Sequence, residues 1–145
     1  MSKRKTVVDA METALRAITG IGIVTQDKKI WSGLNPDDHP ALLLTPDKPE
    51  VERLAYAHAT SFDMHAIMQV TIEGLVYDIL EADSQVSLDN LLSDVEKAIV
   101  GNTALSDLTV EVVPTSDEIL TEWQDHYGIF TAVYAVEYLY NHNTP

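Results

Sequence analysis

From Phe62 to Glu73, apolar and polar residues alternate along the chain. Phe62, Met64, Ala66, Met68, Val70 and Ile72 are apolar, and of the residues that alternate with them only Ile67 is. Period two over twelve residues predicts a strand with one buried face, longer than most. Gly74 then leaves room for a bend or bulge before a further strand, Leu75 to Leu80. The same alternation returns near the C-terminus. Ile129 to Tyr140 places Phe130, Ala132, Tyr134, Val136, Tyr138 and Tyr140 on one face. Two shorter strands are predicted before it. In one, Leu108, Val110 and Val112 alternate with Thr109 and Glu111, up to Pro114. In the other, Ile119, Thr121 and Trp123 alternate with Glu118, Glu122 and Gln124. Asp125-His126-Tyr127-Gly128 reads as the turn that follows. Earlier in the chain, Ile21–Thr25, Ala41–Leu44 and residues 51–58 read as short strands.

Two stretches change period. Val8, Met11, Leu15 and Ile18 recur at helical spacing over residues 6–18, and Thr19-Gly20 supplies a stop. Leu88, Leu91, Leu92, Val95 and Ile99 form a second helical stripe. Ser87 reads as its N-cap, Asp89 lies in its first turn, and Gly101-Asn102 ends it. Together these elements predict an α+β fold: one mostly antiparallel sheet with two helices packed on one face. Residues 1–145 read as a single domain with a core over about residues 6–140, a length that needs no disulfide or metal staple.

Charge is distributed unevenly. Residues 1–53 hold eight Lys/Arg and eight Asp/Glu. Residues 54–145 hold one lysine, Lys97, against fifteen acids, which is the whole net charge of −14. That acidic part also carries the strongest strand patterning, so it is a folded acidic body and not an acidic tail. Its field repels DNA phosphates, acidic proteins and anionic membranes. The chain has no cysteine, which excludes disulfides, thiol nucleophiles and Cys-based zinc sites. Met1-Ser2-Lys3-Arg4-Lys5 is basic but precedes no apolar run, so a soluble protein made in the cytoplasm is expected. The three basic residues themselves read as a frayed, solvated terminus.

Little in the chain suggests catalysis. His58 and His65 lie in strand-like regions and Asp63 shares a face with His65, but no third metal ligand is near them in sequence. His39 reads as turn chemistry, His126 as part of a turn and His142 as tail. The carboxylates are scattered, with no pair set in contrasting environments as acid/base work requires. Gly20-Ile21-Gly22 is a fragment of a dinucleotide fingerprint, but it follows a helix instead of a strand. No serine lies in a nucleophile elbow. Tyr134, Tyr138 and Tyr140 share a face that could stack bases, yet in so acidic a chain they read as core or subunit interface. No enzyme, cofactor or metal is expected. One loop stands apart. Trp31 and Leu34 are large apolar residues inside a stretch rich in Asn, Asp and Pro, which makes them candidates either for docking on another chain or for tucking into the core.

The order of these parts resembles the tail terminator proteins of long-tailed phages, the group that includes the lambda minor tail protein U. The likeness lies in layout. An N-terminal helix ends at Thr19-Gly20, and a turn-rich loop precedes Pro40-Ala41-Leu42-Leu43-Leu44. The long strand Phe62–Ile72, the helix Leu88–Ile99 and the last strand Phe130–Tyr140 complete it. The resemblance implies a homo-hexameric ring at the head-proximal end of the tail. Such a ring caps the tail tube protein, stops its polymerisation and meets the head–tail connector protein. It implies a virion protein with no membrane, no catalysis and no cofactor. DNA would pass through the lumen without specific binding. Asp63, Glu73, Glu111, Glu118 and Glu122, acids on outward positions of predicted strands, are the lumen candidates. Trp31 and Leu34 are candidates for the subunit or tube interface. A head–tail connector or neck protein would share this layout. An acidic DNA mimic occupying a basic protein's groove is the alternative from a different class.

Overall fold

The computed structural model describes residues 2–28, 40–53, 63–77, 81–122 and 127–141. In these, helix α1 (Lys3–Arg16) precedes strands β1 (Ile23–Thr25), β2 (Ala41–Pro46), β3 (Glu50–Arg53) and β4 (Asp63–Tyr77). Helices α2 (Glu81–Val100) and α3 (Thr103–Leu108) and strands β5 (Glu111–Glu122) and β6 (Tyr127–Asn141) follow. The strands make one sheet in the order β1-β2-β4-β6-β5, with β3 also paired to β4. Only the β1–β2 pair is parallel. The fold is therefore α+β, as expected.

The alternating residues of β4 and β6 build the core. Ala66, Met68, Val70, Ile72 and Val76 of β4, and Phe130, Ala132, Tyr134, Val136 and Tyr138 of β6, are buried on one face of the sheet. Helices α1 and α2 cover that face with Val7, Val8, Met11, Ala14 and Leu15, and with Leu88, Leu91, Val95 and Ile99. Burying each large aliphatic side chain contributes about 1.5–3 kcal/mol. The tyrosines belong to this core: Tyr134 is 1% exposed and Tyr138 2%. Burial, with the charges of Glu96 and Asp117 added, pushes the Tyr134 hydroxyl up to about 12, so it stays neutral at physiological pH.

Several boundaries differ from the sequence reading. Helix α1 begins at Lys3, because Ser2 caps it: its hydroxyl accepts from the Lys5 amide at 3.1 Å. Lys3, Arg4 and Lys5 are thus the first turn of a helix and not a frayed terminus. The helix ends at Arg16, short of the expected stop at Thr19-Gly20: Ala17 caps it, its amide donating to the Ala14 and Leu15 carbonyls, and Gly20 takes a φ of 86° in the turn beyond. Helix α2 begins at Glu81, so Ser87 is interior to it and not its cap. Residues 103–108 form a short helix where a strand from Leu108 is expected. Asn102 caps it, its side chain accepting from the Leu105 amide at 2.9 Å, and Leu105 is fully buried. The two strands predicted on either side of Pro114 are one strand, β5, with a bulge between Pro114 and Ser116. Of the strand expected over residues 51–58, residues 51–53 lie in β3. His58, His39, His126 and His142 lie outside the described residues.

Gly74 breaks nothing: β4 runs through it without interruption. It pairs directly with Phe130 of β6, and the ring of Phe130 lies where a β-carbon on Gly74 would be. Gly74→Ala should therefore destabilise the fold by about 1–3 kcal/mol in urea denaturation, since the fully buried ring has nowhere to turn. Gly128→Ala should cost less, because there the new methyl meets the Leu88 methyl, the movable end of an aliphatic chain. Equal costs would show that the ring over Gly74 is not held by its surroundings.

Candidate assembly surfaces

The face of the sheet opposite the helices is built by the other parity of each strand. On β4 these positions are Asp63, His65, Ile67, Gln69, Thr71, Glu73 and Leu75. On β6 they are Ile129, Thr131, Val133, Ala135, Glu137, Leu139 and Asn141. Register extends the face to Glu50 and Glu52 of β3, which lie opposite Ile67 and His65. On β5 it adds Glu111 opposite Glu137 and Glu118 opposite Thr131.

All five acids singled out from the sequence fall on this face. Asp63 lies opposite Asn141 and is exposed. Glu73 and Glu118 flank Thr131 from either side. Glu111 is exposed, and Glu122 takes the matching register position opposite Tyr127. Glu50, Glu52 and Glu137 join them. Parity along Ile129–Tyr140 already places Glu137 opposite the Phe130 face. Glu50 and Glu52 could be found only once β3 was known to pair with β4. Among the described strand residues, register places no Lys or Arg on this face. Trp31 and Leu34 lie outside the described residues.

Among the described strand residues of this face, His65 is the one base. Its Nε2–H donates to the Glu137 carboxylate across the β4–β6 ladder, and Nδ1 lies 3.8 Å from Glu52 across β3. The imidazole thus bridges two carboxylates on neighbouring strands. Asp63 shares the face but takes no part in the pair. Among the described residues no three metal-capable side chains converge. A hollow of about 490 Å³ lies between the C-terminal ends of α1 and α2, lined by Ala14, Ile18, Ala98, Gly101 and the exposed Asp94 and Lys97. It opens broadly to solvent and offers no buried acid/base pair. No helix among the described residues is long and apolar enough to cross a membrane.

The fold has a relative. It is similar to a chain in the virion of a native gene transfer agent particle. The TM-score is 0.60 at 12% identity, covering 91% of this chain and 93% of the other. The likeness is one of fold. The sequence matches no protein-family model and no curated protein.

The acidic face carries one testable electrostatic cost. Glu111 stands directly opposite Glu137, and like charges so placed destabilise a strand pair. Glu111→Lys should stabilise the monomer by about 0.2–1 kcal/mol at low salt, with the gain shrinking as salt is added. A gain that is the same in high salt would mean that the two charges do not feel each other.

Proposed function

We propose that this chain is a structural protein of a phage-like virion: the tail terminator, a ring that caps the tail tube and joins it to the head connector. The observation that carries this reading is the fold likeness to a virion chain, spanning nearly the whole of both chains. The sheet face adds support. A hexamer of this chain would bring six acidic faces together. If these faces line the lumen, phosphate and carboxylate repel, and DNA slides through without sticking. In that role Asp63, Glu73, Glu111, Glu118 and Glu122 set the field, with Glu137 and Glu52 beside them. Trp31 and Leu34 are assigned to the subunit or tube contact. The chemistry is passive: no bond is made or broken and no cofactor is needed. The protein would reside in the virion, at the head-proximal end of the tail, and its partners would be the tube protein and the connector.

Two measurements test this reading. The first is solution mass by light scattering at low and moderate salt, alone and with tail-tube protein. A chain of 16.1 kDa should shift to a ring of about 97 kDa, six chains, as salt screens the repulsion between copies. A chain that stays monomeric in every condition and does not bind the tube would rule the terminator out. Binding to the connector but not to the tube would assign it to the neck instead. The second tests the lumen. Asp63→Lys with Glu73→Lys, both on the central strand β4, should leave the fold and the ring intact and reduce DNA delivery by particles. Normal delivery would move the acidic face out of the lumen.

A further inference from the structure

The division of charge along the sequence is also a division in space. Residues before position 54 build α1, β1, β2 and β3, one side of the sheet and the helix over it. Strand β6 fills one side of β4 along its whole length, so β2 and β3 share the other side. At the opposite limit of the sheet lies β5. Among the described residues no strand pairs with the outer side of β3 or of β5.

Beyond β2, strand β1 is a third open edge among the described residues, and the β3 and β5 edges differ in charge. Beside β3, Arg4 donates to the Asp47 carbonyl oxygen at 3.4 Å, which sets the start of α1 against the β2–β3 turn. Lys3, Arg4, Lys5 and Lys48 therefore gather at one corner, offset by Asp9, Asp47, Glu50 and Glu52. The β5 edge has Glu111, Asp117 and Glu118, all exposed, and no Lys or Arg follows Lys97 in the chain. The first turn of α1 also breaks a local rule. It holds three cations and no acid at the positive end of a helix dipole, where each cation is unfavourable. An anionic surface docked there would relieve that cost. Apolar side chains are exposed at both edges: Val51 of β3 is 45% exposed, and Val110 and Val113 beside and within β5 are 56% and 38%.

We propose that copies of the chain join side by side, the outer edge of β5 in one lying against the outer edge of β3 and the start of α1 in the next. The inference rests on the ring reading above and names its subunit contact. Strand direction agrees with it. β3 runs against β4, β4 against β6 and β6 against β5, so a sheet continued from β5 to the next β3 is antiparallel at the join. The contact is heterologous, using a different edge from each copy, and a rotation that repeats it closes a ring. Two β5 edges paired with each other would set Glu111, Asp117 and Glu118 against themselves, which the repulsion opposes.

The absence of cysteine makes the contact directly testable. Glu50→Cys and Val113→Cys place thiols on the same face of the two edges. Assembled protein, alone or bound to the tail tube, is treated with a short bis-maleimide and run on a denaturing gel. The chain carrying both substitutions should give a ladder beyond the dimer. Each single variant should stay monomeric, and a mixture of the two singles should give a dimer. Self-crosslinking of Val113→Cys alone would overturn the proposal in favour of a symmetric β5–β5 contact. A double variant that assembles by light scattering yet gives no ladder would overturn the edge contact and leave the ring standing. A wild-type chain that never assembles, with or without the tube, would sink both. As a second readout, Glu111→Lys with Glu118→Lys should weaken assembly at least tenfold, and adding Lys5→Glu with Lys48→Glu in the same chain should restore it. Failure of that rescue while the ladder persists would overturn the charge pairing.

Discussion

The fifteen-residue ladder between β4 and β6 fixes every other part of the molecule. It contributes the central half of the buried face, and β2, β3 and β5 take their register from it. Because side chains alternate with period two, a slip of one residue would turn one strand over, sending either Met68 and Ile72 or Tyr134 and Val136 out to solvent and carrying Glu73 or Glu137 into the core. That penalty sets the register. Gly74 and Phe130 reinforce it, since the ring fits only over a residue with no side chain. The same ladder holds His65 against Glu137, so this imidazole of the acidic face is placed by the backbone pairing that forms the core.

The parts legible in the sequence are those whose signal is local. Alternation from Phe62 to Ile72 and from Phe130 to Tyr140 reports burial directly, and the stripe Leu88, Leu91, Val95, Ile99 does the same for α2. Helix α3 was not legible because six residues give fewer than two turns. Thr109, Val110 and Glu111 after it extend an alternation that imitates a strand, and the capping role of Asn102 is hidden by its other reading as the end of α2. The continuity of β5 was hidden by its bulge. An extra residue at Thr115 shifts the parity, so the alternation before Pro114 and that after Ser116 do not match when read as one run.

The acidic face lies between these cases. Parity within one strand is written in the sequence, and it put Glu73 and Glu118 on outward positions. That acids from four strands share one surface depends on relative register, which is a property of pairing across as many as 78 residues of chain, from Asp63 to Asn141. The contacts of His65 are of this kind: Glu52 and Glu137 come from strands on either side of it, and no spacing announces them. Residues such as Trp31 and Leu34 carry no periodicity at all, so only chemistry and loop context single them out.

A protein that must self-associate while carrying −14 per copy faces two electrostatic terms of different range. Repulsion between whole copies acts at long range. Salt at physiological strength, with a screening length of about 8 Å, removes much of it. Attraction between the β5 edge and the start of α1, in the proposed arrangement, acts at contact distance, where solvent and ions are displaced and screening is weak. The two terms then separate in time as well as in space. At low ionic strength free copies are kept apart, which protects exposed strand edges from indiscriminate pairing. Copies gathered on a common template lie inside the screening length, where the contact term decides. The acidity that hinders spontaneous assembly would thus make assembly depend on the tube.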